Sequence, residues 1–335
     1  MPKISVVMSV YKEPMDWLCQ SIDSILRQTF TDFEYIIVCD NPDYKEGISL
    51  LNEYAKKDGR IKLIFNEVNI GLTKSLNKGL AIAQGEYIAR MDADDESLKN
   101  RFEVEIDYMK RHPDVDVLGT NKRAFGNVSF LTKKTSHDIP LSNDDIKVCM
   151  FFVCPMVHPT IMMKRVIRGE EAKYDESNCV AQDYRLWHDL QKRGAVINNI
   201  DDVLVRYRVS NFQISSKNAL QREVCKGIQK ELLQELIQGV SEEKLLIHYE
   251  VTSSIKSEIS LLQKVEYLAE LSSLLKKRYS NEKYIDKMIA RYALSTCIAY
   301  QQPLRYLKSL PGIKKSIADS RFLRAIAKYY IAKIR

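Results

Sequence analysis

The sequence has few of the features that identify membrane-spanning, secreted or zinc-finger proteins. No apolar run approaches the roughly 18 residues that a transmembrane helix needs, and the first residues read as a short strand without a signal-peptide cleavage site. The seven cysteines are odd in number and none has CxxC spacing, and the five histidines show no ligand spacing. These absences favour a cytoplasmic protein with reduced cysteines, without a disulfide framework or a zinc site.

Several nucleotide-binding and nucleophile signatures are also missing. The 12 glycines form neither GxGxxG nor GxxxxGKS/T, so the dinucleotide-binding and P-loop signatures are absent. No Ser/His/Asp or Cys/His nucleophile signature is present. Neither an RNP-type nor a KH-type motif occurs, so we expect no nucleic-acid partner.

The composition is that of a folded protein, and the charge is unevenly distributed along the chain. Of the 335 residues, 45% are hydrophobic and 28% charged, which is typical of a globular protein. Residues 217–335 hold 22 basic against 12 acidic residues, a net charge of +10, whereas residues 1–216 hold 29 against 32, a net charge of −3. The asymmetry indicates that the two parts meet different partners.

Strand and helix patterns alternate through the first hundred residues. Apolar runs typical of buried strands occupy 4–10, 33–38, 61–65 and 87–91, and amphipathic helical patterns occupy 14–27, 46–57 and 72–83. Such alternation predicts an α/β fold with a mostly parallel central sheet flanked by helices. A further helix is predicted from Asp183 to Lys192 and a late strand over 203–208. We place a domain boundary at 216, followed by a mainly α-helical region over 217–335.

Two acidic features follow predicted strands. Asp40 ends the second strand, and Asp92-Ala93-Asp94-Asp95 ends the fourth. Ligands of parallel sheets bind outside the carboxyl ends of the strands, where neighbouring carboxylates are stabilised by a divalent cation. The alternatives are an exposed acidic turn that caps the next helix and, for Asp40, an ordinary turn residue.

Two further residues are candidates for chemistry. Asp183 opens an amphipathic helix, where a carboxylate facing a cleft could act as a general base. Its alternative is a first-turn acid that interacts with the helix dipole. His158 lies in an apolar stretch, where a lone histidine is more often a packing residue than a catalyst.

The order of short motifs along the chain is more specific than any one of them. The series is Ile4-Ser5-Val6-Val7-Met8-Ser9-Val10-Tyr11, Ser24-Ile25-Leu26-Arg27-Gln28-Thr29-Phe30, Phe33 to Asp40, Asn69-Ile70-Gly71-Leu72, Gly85 to Asp95, His158-Pro159-Thr160, Gln182-Asp183-Tyr184 and Tyr207-Arg208. Over residues 1–216 this series resembles the family 2 inverting glycosyltransferases of the GT-A fold, which act in bacterial capsule and O-antigen polysaccharide synthesis.

The resemblance implies a role for each matching residue. Residues implied to bind the donor nucleotide are Tyr11, Asp40, Asp92 and Asp94. Asp94 and Asp95 are implied to hold Mn²⁺ or Mg²⁺ on the diphosphate, and Asp183 to be the catalytic base. Candidate phosphate or acceptor contacts are Arg90, His158, Arg206 and Arg208. By the same resemblance, residues 1–100 are the nucleotide-sugar-binding half and residues 101–216 the acceptor-binding half.

The chain departs from the family pattern at three places. Family members often have two consecutive acids where Cys39-Asp40 stands, and many have Glu where this chain has Gln182. A histidine often follows the late Tyr-Arg pair, where this chain has Ser210-Asn211. Fewer protein ligands are therefore expected for the metal.

The resemblance also suggests where the protein works. It implies transfer of a hexose or N-acetylhexosamine from a UDP-linked donor to a lipid-linked oligosaccharide at the inner face of the plasma membrane. Residues 301–335 hold nine basic residues and one acid, with apolar residues at helical spacing. This pattern predicts an amphipathic helix on an anionic membrane surface, or alternatively a helix packed on the catalytic domain.

Two other function classes remain open from sequence. A nucleotidyltransferase also uses acidic metal sites on α/β sheets, but its phosphate-gripping loop is not evident in Val10-Tyr11-Lys12-Glu13-Pro14. A membrane- or RNA-binding adaptor with a non-catalytic domain would depend on the basic C-terminal segment and be indifferent to changes at Asp92 to Asp95.

Overall fold

A computed structural model describes residues 1–127, 139–210 and 219–302. Its contacts divide the chain into two compact units. The first comprises Met1–Asn143 and Cys154–Cys225. The second comprises Asp144–Val153 together with residues 226–302 of the described chain.

The first unit begins with alternating strands and helices. The strands are β1 Ile4–Val10, β2 Phe33–Cys39, β3 Ile61–Phe65, β4 Tyr87–Asp92 and the short β5 Glu96–Ser97, and the helices are α1 Met15–Leu26, α2 Lys45–Lys57, α3 Leu72–Ile82 and α4 Arg101–Arg111. Strand β2 is buried along its whole length. Its apolar run lacks alternation because helices cover both faces of a parallel sheet.

The later part of this unit completes the sheet. Strands β6 Val117–Gly126, β7 Met162–Lys164 and β10 Ile197–Val209 join it, and β8 Val166–Ile167 pairs with β9 Glu170–Glu171 as a separate hairpin. Helix α6 spans Gln182–Lys192. The sheet order is β3-β2-β1-β4-β7-β6-β10-β5, and only pairs that include β7 or β5 are antiparallel. The predicted α/β class with a mostly parallel sheet is confirmed.

Strand β10 begins earlier than the sequence predicts. It starts at Ile197 rather than at residue 203, and its pairing with β6 is irregular between Ile200 and Val205. Asp201 and Asp202 are exposed within this irregular stretch. These two consecutive polar residues interrupt the apolar pattern that predicts a strand. The strand tolerates them because a bulge takes them out of the regular alternation.

The strand order brings distant parts of the sequence to one edge of the sheet. Strand β1 pairs in parallel with both β2 and β4, with Val10 opposite Cys39 and Ser9 opposite Asp92. The loop after β1, residue Asp40 and the Asp92–Asp95 turn therefore meet at the carboxyl edge, where parallel sheets bind their ligands.

The second unit is helical. Its helices are α5 Asn143–Met150, α7 Ala219–Leu236, α8 Glu242–Thr252, α9 Leu261–Arg278 and α10 Glu282–Ala299. Two of them cross the division between the units: α5 begins one residue before the second unit, and α7 belongs to the second unit from Lys226 onward. Phe152 stacks on Tyr292 with ring centroids 4.7 Å apart, and the Nε2 atom of buried His248 lies 2.7 Å from the Phe151 carbonyl oxygen. The predicted helical C-terminal region is confirmed over residues 219–302.

The division differs in position from the predicted boundary at residue 216. It falls between Cys225 and Lys226, inside α7, and residues 144–153 group with the helices although they lie far upstream. These residues supply Phe151 and Phe152, whose side chains are buried among residues of that unit. Burial by residues that are distant in the sequence cannot be predicted from the local sequence pattern.

Among the described residues, no helix is both long and apolar enough to cross a membrane. The amphipathic helix predicted within 301–335 falls outside the described residues, except for Gln301 and Gln302.

Candidate active site

The acidic turn after β4 gathers three carboxylates. Asp92 is the last residue of β4, and the chain turns so that the Asp95 backbone N–H donates to the Asp92 carbonyl oxygen over 3.4 Å. One carboxylate oxygen from each of Asp92, Asp94 and Asp95 lies within 4.8 Å of the others. Asp95 is 1% exposed, and the other two are half-buried. The turn thus forms a compact cluster of oxygen ligands.

Burial and mutual repulsion raise the pKa values in this cluster. Burial, followed by the charges of Asp92 and Glu13, raises the pKa of Asp94 to about 7. Burial and the charges of Asp92 and Asp94 raise the pKa of Asp95 well above its usual value. Packed carboxylates of this kind favour a proton or a cation among them, because each negative charge disfavours the next.

The cluster has the chemistry of a site for a hard divalent cation. Mg²⁺ and Mn²⁺ prefer oxygen ligands, and Mg²⁺ is often held by one or two carboxylates together with substrate phosphates. The Oδ2 atom of Asp95 is buried without a hydrogen-bond partner among the described residues. An unsatisfied buried carboxylate oxygen is unfavourable unless a cation or a proton compensates it. The residues present therefore fit the expected metal.

Arg208 holds the acidic turn in shape. Its backbone N–H donates to Asp95 Oδ1 over 2.7 Å, its Nε to the Asp94 carbonyl oxygen over 2.7 Å, and its Nη2 to Gln20 Oε1 over 2.6 Å. Its guanidinium also lies 4.7 Å from the ring centroid of Trp17. These contacts give Arg208 a structural role, and its predicted contact with phosphate or acceptor stays a prediction.

Arg206 lies two residues earlier on β10. It pairs with Glu96 of β5, and its side chain is 44% exposed. Its guanidinium lies 4.5 Å from the Phe125 ring centroid. The structure thus places Arg206 beside the strand that follows the acidic turn, and its predicted contact with phosphate or acceptor is untested.

Asp40 is buried at the end of β2 and supports the loop before α3. Its Oδ1 accepts from Asn66 Nδ2 over 2.8 Å and from the Ile70 backbone N–H over 2.9 Å, and its Oδ2 accepts from the Gly71 backbone N–H over 2.8 Å. Gly71 has a φ of 85°, which favours glycine. The carboxylate therefore fixes the Asn69-Ile70-Gly71 turn, and a base contact would use its remaining lone pairs.

The loop after β1 contributes a residue that the sequence analysis missed. Glu13 accepts a hydrogen bond from the Tyr11 backbone N–H over 2.9 Å, and its carbonyl accepts one from the Tyr44 hydroxyl. Burial, and to a smaller extent the charge of Asp92, raise the pKa of Glu13. Tyr11, a predicted donor-binding residue, is 39% exposed in the same loop. The position of Glu13, an acidic residue just after a buried strand, could have indicated a place at the site.

Asp183 lies at the start of α6 with a half-buried side chain. Its Oδ1 accepts from the Tyr184 backbone N–H over 2.9 Å, and the Cys154 thiol lies 3.6 Å from its Oδ2. The preceding Ala181 has a φ of 50°, a left-handed conformation that turns the chain sharply into the helix. Burial raises the pKa of Asp183, which suits a general base.

His158 is a buried packing residue beside Tyr174. Its Nε2 lies 2.7 Å from the Tyr174 hydroxyl, and its ring packs edge-to-face on Tyr174 and Trp187. Burial, and then the charge of Arg90, hold its pKa well below the usual value. His158 is therefore neutral at pH 7 and offers no positive charge to a phosphate, so any contact it makes is a neutral hydrogen bond.

Arg90 lies on β4, two residues before the end of the strand. It is 3% exposed and forms an ion pair with Asp92. Burial raises the pKa values of Asp95 and Asp183, and the charge of Arg90 partly offsets both increases. The structure thus places a buried cation where its charge reaches the acidic cluster and the predicted base.

Comparison with known proteins identifies the family. The model of glycosyl transferase family 2 matches residues 5–168. An uncharacterized glycosyltransferase of Methanocaldococcus jannaschii is 38% identical over 215 residues, covering 63% of this chain and 72% of the relative. The O-antigen biosynthesis glycosyltransferase WbnJ of Escherichia coli is 32% identical over 224 residues, covering 66% and 85%.

Solved structures share the fold at low sequence identity. S. aureus TarS 1-349 in complex with UDP-GlcNAc has a TM-score of 0.59 at 14% identity, with 94% of this chain and 91% of that chain covered. The mannosyltransferase PcManGT from Pyrobaculum calidifontis, in complex with GDP-Man and Mn²⁺, has a TM-score of 0.53 at 14% identity, with 99% and 80% covered. Sequence relatives and fold agree, and the chain belongs to glycosyl transferase family 2 and is a glycosyltransferase.

Proposed function

We propose that this glycosyltransferase moves a hexose or N-acetylhexosamine from a UDP-linked donor to a hydroxyl of a glycan acceptor, with inversion at the anomeric carbon. The observation that carries the proposal is the acidic turn at the sheet edge, in the same unit as the half-buried carboxylate Asp183. The buried Asp95 Oδ2 in this turn has no hydrogen-bond partner within the described part of the chain. Support for a nucleotide-sugar donor comes from the TarS and PcManGT complexes, which hold UDP-GlcNAc and GDP-Man.

Each residue then has a definite task. Asp94 and Asp95, with Asp92 beside them, would hold Mn²⁺ or Mg²⁺, which when bound supplies Lewis-acid stabilisation to the departing diphosphate. Tyr11, Asp40, Asp92 and Asp94 would frame the nucleotide. We assign donor binding to residues 1–100 and acceptor binding to residues 101–216.

Asp183 would act as the base. Its carboxylate takes the proton of the acceptor hydroxyl while that oxygen forms a bond to the anomeric carbon. The bond from the anomeric carbon to the diphosphate oxygen breaks, and the nucleoside diphosphate leaves with the electron pair. Because attack and departure occur on opposite faces, one displacement inverts the configuration, and no covalent sugar–enzyme intermediate forms.

The acceptor class rests on relatives named for O-antigen and amylovoran biosynthesis. We propose a lipid-linked oligosaccharide of surface polysaccharide synthesis, reached from the cytoplasmic face of the membrane. The family assignment gives no support to the nucleotidyltransferase or to the non-catalytic adaptor.

The test follows nucleoside diphosphate release from a panel of UDP-, GDP- and dTDP-sugars, with Mn²⁺ or with a chelator, and with or without a bacterial lipid-linked oligosaccharide extract. We expect release from a UDP-sugar that needs the metal and rises with the extract. Asp94→Ala and Asp183→Asn should each lower the rate by about 10²-fold to 10⁴-fold. The matched control is Asp202→Asn, because Asp202 is exposed on β10.

The anomeric proton coupling of the isolated product, measured by NMR, decides the stereochemistry. Retained configuration would refute inversion. No release from any donor by folded protein, or equal rates in Asp183→Asn and Asp202→Asn, would refute the proposed catalytic role.

A further inference from the structure

Arg90 has an unusual environment for an arginine. It lies on β4 and is 3% exposed. Its backbone N–H donates to the Ile161 carbonyl oxygen over 3.1 Å, and its carbonyl oxygen accepts from Arg101 Nη2 over 3.1 Å. Its Nε atom makes no hydrogen bond among the described residues. A buried guanidinium is costly unless charge nearby compensates it.

The compensating charge is Asp92. Residues two apart on a strand point to the same face of the sheet, so Arg90 and Asp92 project together. The Arg90 Nη1 pairs with Asp92 Oδ1, and the Asp92 side chain is 33% exposed. Asp92 therefore has an internal partner on its buried side and an open side that faces the cluster with Asp94 and Asp95.

We propose that Arg90 is a positioning residue: it acts through Asp92 as the internal counterion of the acidic cluster. A divalent cation in the cluster shares Asp92 with Arg90, so the guanidinium weakens cation binding. This counterion role concerns the cluster itself and does not rest on the proposed function.

The test compares Arg90→Met with the wild-type chain. Methionine removes the charge without leaving a buried polar group. Mn²⁺ alone is the probe, and electron paramagnetic resonance measures the free ion during a titration. We expect Arg90→Met to bind Mn²⁺ about threefold to tenfold more tightly, because a nearby positive charge has been removed. Arg90→Lys, which keeps the charge, should match the wild type within about twofold.

The control is Arg123→Met, because Arg123 is exposed on β6 and outside the cluster. Its Mn²⁺ affinity should equal that of the wild type. If Arg90→Met lacks a cooperative unfolding transition, Arg90→Gln takes its place with the same expected direction. Equal or weaker Mn²⁺ binding by the folded, uncharged variant would overturn the counterion role, since a merely structural residue predicts that loss.

If the wild type transfers no sugar, the proposed function fails while the Mn²⁺ titration still decides the counterion role.

Discussion

Single side chains at the sheet edge show how burial changes what a residue does. Asp40 resembles a nucleotide contact in sequence, yet in the structure both of its carboxylate oxygens accept hydrogen bonds from the protein. A buried carboxylate that accepts three N–H hydrogen bonds is fixed in position by them. Its first task is therefore to shape the Asn69-Ile70-Gly71 turn.

Asp40→Asn separates this task from direct base recognition. Asparagine turns one acceptor into a donor, which then faces either the Gly71 N–H or the N–H groups of Asn66 and Ile70. We therefore expect a loss of roughly 1–3 kcal/mol in the free energy of unfolding. The KM for the donor should rise with it, because the turn loosens. Urea unfolding and donor kinetics check both, with the exposed Asp43→Asn as control. Normal stability with weakened donor binding would instead favour direct contact with the base.

At the scale of elements, the sequence predicted the four N-terminal strands and the three helices between them because one physical signal dominates each. Buried parallel strands are continuous apolar runs, and α1 places Leu18, Ile22 and Ile25 on one buried stripe. Between residues 139 and 180 the strands are short. Strand β7 has three residues, and β8 and β9 have two each, which is too few for any periodicity.

The helical unit contains a histidine that makes the stability of the fold depend on pH. His248 Nδ1 lies 2.8 Å from the Tyr267 hydroxyl, and its Nε2 lies 2.7 Å from the Phe151 carbonyl oxygen, so the Nε2–H donates to that oxygen and Nδ1 accepts from the hydroxyl. Burial lowers the pKa of His248 to about 4. The neutral ring therefore belongs to the folded state, and protonation opposes folding.

This pKa predicts the direction of the stability change. Between about pH 6.5 and pH 4 the unfolded chain binds a proton that the folded chain does not, so the free energy of unfolding falls as the pH falls, by roughly 3 kcal/mol at most from this group. His248→Gln loses stability at pH 7, and its deficit relative to the wild type should narrow toward pH 4. Far-ultraviolet circular dichroism during urea unfolding measures it, because both tryptophans, Trp17 and Trp187, lie in the first unit.

His112→Gln serves as the control, because His112 is exposed at the end of α4. Its small effect should not change across the same pH range. A deficit of His248→Gln that is constant with pH would contradict the neutral buried ring.

At the scale of the whole molecule, the uneven charge predicts how the protein meets its surroundings. The net charge of +10 over residues 217–335 favours binding to an anionic surface, whereas the net charge of −3 over residues 1–216 disfavours it. A lipid-linked acceptor would place such a surface beside the active site.

Vesicle sedimentation tests this with the full chain. We expect binding to vesicles that contain anionic lipid, weaker binding at higher salt, and a loss of about threefold to thirtyfold in affinity on Arg324→Glu with Lys328→Glu, since each basic residue near the surface contributes on the order of 1 kcal/mol. The paired control is Lys56→Glu with Lys57→Glu at the exposed end of α2. Equal losses in both pairs would show that net charge, and not the C-terminal segment, governs binding.

The sequence by itself determined the α/β class, the helical C-terminal region and the residues that form the acidic turn, because each depends on local periodicity or on residues close together in the chain. Only the tertiary structure decided three relations at the site: Arg208 braces that turn, burial and the charges of Asp92 and Glu13 raise the pKa of Asp94, and Arg90 pairs with Asp92. It also decided that residues 144–153 join the C-terminal helices. These relations depend on which strands lie side by side and on how far each charge is buried, and neither the order of strands in a sheet nor burial by distant segments follows from local sequence patterns.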